Sequence, residues 1–282
     1  MALYHDYHVH SNYSDGRPLP FMIAAAEESS LDAIGFADHC NVSEREAMIE
    51  AKHEYGFALD LTYERRRQAI RSLSERTDLT IYDAVEMDYA PAEETRIREF
   101  LADAAFDYAI GSVHGIDGLN VQVAANFAEK FDAECRELVD RYYERLVSLI
   151  DSELFEIAAH LDLPERTPEL RGYATEEHYA MVAEAFERSS TRPEINAGRV
   201  LDDYGDFHPA RPFFDRRRNG FDNDRGTGSQ SSGSRVALRP RSSNSSTRTG
   251  SRSRSSAGRC ESVPGTKGIP RSRRRSKNGR AG

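Results

Sequence analysis

Residues 4–16 read YHDYHVHSNYSDG, which sets His8 and His10 two apart and Asp15 five residues further on. As a strand, 4–10 sends both imidazoles to the same side, because side chains alternate with a period of two. Two imidazoles on one side can reach one cation. This stretch then supplies half of a metal site, and the other half has to come from later in the chain.

Working outward, short apolar runs alternate with helical stretches. Strands are expected at 4–10, 31–39, 79–89, 106–115, 154–163 and 192–198. Between them, 20–30, 63–76, 93–105, 126–150 and 175–190 carry apolar residues at helical spacing with acids near their starts. Repeated β-α units predict an α/β fold with a mostly parallel sheet and helices outside it. Six units are counted, without an internal sequence repeat. His8, His10, Asp38, His39, Glu86, His114 and His160 all fall at or near the carboxyl ends of their runs. In a (β/α) barrel those ends share one mouth, where active sites form.

Imidazole and carboxylate together suit Zn, Mn or Fe, and a Glu can bridge two ions. Such ions lower the pKa of water and clamp phosphoryl oxygens during an in-line displacement. No Ser or Cys stands in a nucleophile setting of the G-x-S-x-G kind.

Each residue alone also has a plainer reading. A single His-x-His occurs by accident, and Asp38-His39 fits a helix cap beside a packed imidazole. Asp15, in Ser-Asp-Gly, suits a turn as well as an ion. Cys40 is a soft ligand or a buried thiol, with the thiol preferred. Arg199 can meet a phosphate or pair with Asp202 or Asp203. His5, His53 and His178 are read as surface or packing residues, and His208 as a solvated loop residue. Glu86 on an apolar strand is harder to account for without a ligand, since an unpaired buried carboxylate is costly. The matching strand-end positions favour a shared centre.

Charge divides the chain in two. Residues 1–210 hold 43 acidic and 19 basic side chains, a net charge of −24, with Lys52 and Lys130 the only lysines. Residues 211–282 hold 17 Arg, 2 Lys and 4 acids, a net charge of +15, with 15 Ser and 10 Gly. The first part reads as one folded domain, and its acidity suits concentrated salt or an ordinary acidic cytosolic protein. The second cannot bury enough apolar surface to offset its chain entropy and reads as a disordered Arg/Ser/Gly-rich tail. No long apolar run and no basic-then-apolar start is present. Cys40, Cys135 and Cys260 are scattered and suggest no disulfide framework. The expectation is a cytoplasmic protein with no membrane partner.

Assembled in order, these motifs resemble the PHP family, the polymerase and histidinol phosphatase domain. DYHVHSNYSDG resembles its first motif, FADH its second, VEMDY its glutamate, GSVHG its next histidine and AAHLDL the one after. The overlap covers about 4–210 and is most similar to the histidinol-phosphatase branch. The resemblance implies a distorted seven-stranded barrel with up to three divalent ions. His8, His10 and Glu86 would hold the first, Glu86, His114 and His160 the second, while Asp15 and His39 would serve the third. Arg199, after EINAG, would bind phosphate. The implied reaction is hydrolysis of a small phosphate monoester, L-histidinol phosphate giving L-histidinol and phosphate.

The family's closing strand, Gly-Ser/Thr-Asp-x-His, is not found, and the seventh unit with it. The barrel is therefore expected to be incomplete and its activity impaired. Rival readings are a PHP-type phosphoesterase acting on nucleotides or nucleic-acid ends, a metallo-amidohydrolase, and a degenerate barrel without catalysis. A net −24 opposes a long polyanionic substrate, so nucleic acid is an unfavoured partner. Amidohydrolases of this type bridge their ions with a carboxylated Lys, and neither Lys52 nor Lys130 lies at a strand end. An Arg-rich tail can bind nucleic acid by counterion release, but this one lacks interleaved aromatics for stacking.

The abrupt change of composition predicts a frameshift near Arg211. Sequencing the DNA around codon 211 is expected to find, in a neighbouring frame, a strand ending in Gly-x-Asp-x-His. Its absence from both other frames would overturn the idea.

Overall fold

The computed structural model describes residues 4–198, Val200 and 205–210. The tail read as disordered lies outside the described residues, as does Arg199. In chain order the elements are β1 (His5–Val9), α1 (Leu19–Glu28), β2 (Ala33–Cys40), α2 (Glu46–Tyr55), α3 (Tyr63–Ser74), β3 (Thr80–Asp88) and α4 (Glu94–Ala104). There follow β4 (Ala109–Ser112), β5 (Gly115–Ile116), β6 (Leu119–Asn120), α5 (Asp132–Asp151), β7 (Ile157–Ala158), α6 (Glu176–Arg188) and β8 (Arg192–Pro193).

Six strands form one sheet in the order β1-β2-β3-β4-β7-β8, and every pairing in it is parallel. Each new strand adds to the same edge, so the order never reverses. Crossovers of one hand then place the helices on one face, and the sheet curls around the other. The result is a curled half-barrel of six strands, the incomplete barrel expected from the sequence.

Several elements depart from the expected bounds. The helix expected over 126–150 begins at Asp132, after a 3-10 turn at Ala124–Asn126. The long fourth run is a strand of four residues followed by the hairpin β5–β6. Asp117 and Gly118 turn that hairpin with φ of 53° and 81°, the pair of positive values that a tight hairpin needs. Helix α2 is not expected from the sequence, because 46–55 presents no clear apolar stripe.

The two faces of the sheet pack differently. Outside, α5 lays Leu138, Tyr142, Leu146 and Leu149 against the sheet at helical spacing, all buried. Val9, Ile34 and Phe36 meet α1 and α3 through Leu19, Ile23 and Ile70. Inside lies a smaller cluster of Ala37, Ala84, Tyr108, Ile110, Ile157 and Ala159, joined by Tyr7 and Tyr82.

A bulge shapes the first strand. Asp6 pairs with Ile34 but Val9 pairs with Phe36, so β1 spends one more residue than β2 over the same rise. Tyr7 packs in the inner cluster and His8 also reaches inward, while Val9 packs outside.

Gly35 lets the inner cluster close. A Cβ there would lie 1.7 Å from the Tyr108 hydroxyl oxygen. Gly35→Ala is expected to cost about 1–3 kcal/mol from overpacking, with part regained in Gly35→Ala/Tyr108→Leu. Urea unfolding measures both, and a neutral Gly35→Ala would refute the packing account.

Candidate metal centre

Glu86 lies on β3, in the interior of the sheet, with His39 directly beside it in the β2 register. Its side chain is 0% exposed. The Glu86 Oε2 atom lies 3.2 Å from His8 Nε2, 3.1 Å from His10 Nε2 and 2.6 Å from His39 Nδ1. The Oε1 atom lies 3.0 Å from His160 Nε2 and 3.4 Å from His114 Nε2. Asp15 extends the cluster outward, 2.6 Å from His10 Nδ1 and 3.9 Å from His39 Nε2. All seven metal-type residues singled out in the sequence thus meet at one mouth.

The donors outnumber the hydrogen bonds they can make. Glu86 Oε2, His39 Nδ1 and His114 Nε2 are buried without a hydrogen bond of acceptable geometry, despite their short separations. His8 Nε2 and His10 Nε2 face each other at 3.1 Å. Buried polar atoms are nearly always satisfied, and a divalent cation is a partner that suits converging imidazole and carboxylate lone pairs. The donor set therefore fits a metal. Three groupings have ligand atoms within 4.8 Å of one another: His8-His10-Glu86, His10-Asp15-His39 and His39-Glu86-His114. The first matches the expected grouping, whereas His39 stands with Glu86 and His114 as well as with Asp15.

Charge states follow from the crowding. Burial pulls Glu86 upward, but the neighbouring His39, His8 and His114 outweigh it and hold its carboxyl well below the usual range. Burial lowers His10 and His114, yet contact with Asp15 and Glu86 for the first, and with Glu86 and Asp88 for the second, raises both to about 9. Burial prevails at His160, lowered to about 4, and at His39, also lowered.

A buried strut supports the mouth from outside. Asp38 faces away from His39 and accepts from the Ser11 N–H at 2.6 Å, and from the Ser11 and Ser14 hydroxyls at 2.8 Å each. Arg66 of α3, fully buried, donates to Asp38 at 2.8 Å and to Asp83 at 2.7 Å. The loop carrying Asp15 is thereby tied to two strands. Asp38 is not a helix cap: it lies inside β2, and strand alternation turns it away from the cluster. Phe57 closes one wall of the cluster, its ring 4.4 Å from that of His39 and 4.9 Å from that of His114.

The reading of His208 as a solvated residue is corrected. His208 is 1% exposed, its Nδ1 lies 2.6 Å from Asp162, and its backbone pairs with Asn196. Its carboxylate partner comes from a loop 46 residues away, which no local pattern reveals. Asp162 pairs with the imidazole of His208 and not with one of the cluster. Cys40 is a fully buried thiol packed in the main core, and burial pushes its pKa up. His178 stacks on Tyr143 and caps α6 with Thr175.

Glu194 joins the site without having been singled out by the sequence. It follows β8, contacts His8 Nδ1 at 2.6 Å and accepts the His160 N–H at 2.8 Å. The signal that could have found it is a carboxylate opening the EINAG run, from which Arg199 alone drew a role. A cavity of about 700 Å3 opens beside the cluster, lined by His8, His10, Glu86, Gln122, Arg166 and Arg192 among others.

The fold and site define a parallel half-barrel with a histidine-rich mouth around one glutamate. The PHP domain matches residues 6–197, and the chain belongs to that family. Two solved structures are similar in fold. One is the histidinol phosphate phosphatase of Lactococcus lactis, complexed with zinc, L-histidinol and phosphate. It is 21% identical with a TM-score of 0.58, over 72% of this chain and 76% of that one. The other, described as a candidate histidinol phosphatase of Listeria monocytogenes, is 17% identical with a TM-score of 0.62, over 76% of this chain and 90% of that one. No curated protein matches the chain. No helix among the described residues is long and apolar enough to cross a membrane.

In the metal-free protein, protonated His10 and His114 titrate near 9 against an ordinary 6.5. Their stabilisation is complete below pH 6.5 and is lost as pH rises through about 9. Metal takes neutral imidazoles, so the rise in Tm on adding Mn2+ is expected to grow across that window. Thermal melts with and without Mn2+ check this, and a rise independent of pH would refute it.

Proposed function

We propose that this chain is a metal-dependent phosphoric monoester hydrolase whose substrate is a small phosphate monoester of the L-histidinol phosphate kind. One observation carries the reading: five imidazoles gather around the fully buried Glu86 at 2.6–3.4 Å. In this reading His8, His10 and Glu86 hold one ion, Glu86 with His114 and His160 a second, and Asp15 with His39 a third. Zn, Mn and Fe all suit these donors, and the zinc in the Lactococcus lactis enzyme supports the first. Bound divalent ions supply Lewis acidity, bring the pKa of water toward neutrality and clamp phosphoryl oxygens.

The chain's own residues do the rest. Low-pKa His39 and His160 are neutral at neutral pH and ready to ligate. Glu86 stays ionised and presents one oxygen to each side of the cluster. Phe57 keeps water from the back of His39 and His114. The cavity of about 700 Å3 accommodates a small organic phosphate. In the same reading Arg199 takes the phosphate, residues 1–210 form the enzymatic domain, and the protein works in the cytoplasm in histidine biosynthesis.

A second reading, a metal-binding barrel with weak or no turnover, is favoured by a specific observation. No Asp-x-His follows Asp206-Phe207-His208, and His208 is engaged by Asp162. The closing ligands that the family resemblance implies are then not supplied by the sequence, in line with a frameshift near Arg211.

Purified protein with Mn2+, Zn2+ or Fe2+ should be offered L-histidinol phosphate, a nucleoside monophosphate and an amide. Metal-dependent phosphate release from the first, slower than in relatives with the closing motif, is the expected outcome. Glu86→Gln should abolish it and lower the number of ions bound. Preference for the nucleotide or the amide, or release indifferent to metal and to Glu86, would refute the proposal. Silence on all three with metal bound selects the non-catalytic reading.

A further inference from the structure

We infer that Glu194 is a positioning residue that sets both sides of the metal centre at once, across the open edge of the half-barrel. The inference rests on the metal-centre reading above. The strands β1 and β8 are the two ends of the sheet order, and no ladder joins them among the described residues. Glu194 reaches from just beyond β8 to His8 on β1, with Oε1 2.6 Å from His8 Nδ1. Its Oε2 accepts the backbone N–H of His160 at 2.8 Å. The Asn196 amide donates to Oε1 at 3.1 Å and steadies the carboxylate. The side chain is 9% exposed.

Two consequences follow from this geometry. With a carboxylate as acceptor, His8 donates its Nδ1–H to Glu194, which turns the Nε2 atom toward Glu86 Oε2 at 3.2 Å. His160 has a φ of +26°, a conformation that costs free energy in a residue with a Cβ and needs the surroundings to hold it. The bond to Glu194 is one such hold, and it keeps His160 Nε2 within 3.0 Å of Glu86 Oε1. His8 and His160 stand on opposite oxygens of Glu86, so one carboxylate orients a ligand on each side.

Both partners are donors, so the position demands two acceptor oxygens at fixed spacing. Glutamine offers one oxygen and one NH2 group. Whichever way its amide turns, a donor faces either His8 Nδ1–H or His160 N–H. Aspartate keeps both oxygens and the charge but is one methylene short.

The test measures Mn2+ binding by equilibrium dialysis for the wild type, Glu194→Gln and Glu194→Asp, together with the long-range 15N–1H spectrum of the histidine rings. Both variants are expected to bind Mn2+ about 10–100-fold more weakly. In the zinc-loaded wild type the His8 ring is expected with its proton on Nδ1, held by Glu194, and in Glu194→Gln that Nδ1–H signal is expected to shift and weaken. Should Glu194→Gln not fold, Glu194→Asp carries the same expectation. Wild-type affinity in a folded variant overturns the inference, and so does a loss that disappears on cooling to where both variants are fully folded. No Mn2+ bound by the wild type overturns instead the metal-centre reading beneath it.

Discussion

A carboxylate with no exposed surface sits in the interior of the sheet, and most of the functional architecture answers to it. An isolated ion of this size buried in protein costs several kcal/mol even after relaxation. Glu86 escapes that cost only because imidazoles on and just beyond β1, on β2, and just beyond β4 and β7 turn toward it. Residues so distant in sequence can converge only if the sheet curls, and the sheet curls because each strand adds to the same edge. The charge and the curvature are therefore coupled: a flat sheet would keep His39 beside Glu86 but carry His8 and His160, from strands further along the order, out of reach.

Alternation along single strands separates two kinds of polar burial. On β2, Asp38 and His39 are neighbours that face opposite ways. His39 joins the metal-type cluster, and Asp38 joins a fully buried Arg66 and the loop at Ser11–Ser14. The outer network gives both Asp38 oxygens hydrogen-bond donors and holds a loop in place, with only guanidinium nitrogens of Arg66 and Arg67 left over. The inner one has surplus ligand atoms, the feature that distinguishes a cation site from a structural ion pair. The inner floor uses small or flat residues, Ala37, Ala84 and three tyrosines, which leave room for the cavity beside the cluster.

Among the described residues β8 ends the sheet, with only the Asn196–His208 bridge beyond it. Arg192 and Glu194 donate their N–H groups to the β7 side, so the intervening Pro193 falls where a donor would face the open edge. Missing donors and charged groups both discourage strand addition. Glu194 crosses the gap with its side chain, not its backbone, so the tie between first and last strands is also a tie between imidazoles.

Periodicity, Gly and Pro positions and the order of motifs are local properties, and they were sufficient for the α/β class, the six strands, five of the six helices and seven residues of the cluster. His8 and His10 were legible because two residues is the strand period. Glu86 was legible because a carboxylate in an apolar run is costly unless something binds it. Helix α2 was not legible, since 46–55 has no clear apolar stripe. Asp117-Gly118 is a local hairpin signal, yet the strand expected over 106–115 stops short of it and the hairpin was not read. Only the tertiary structure revealed the partners of Glu194, Arg66, Phe57 and His208. The side chains that these four engage across the fold come from other strands and loops, distant along the chain. No residue type or spacing along the chain encodes such a pairing, because it depends on which strands end up side by side.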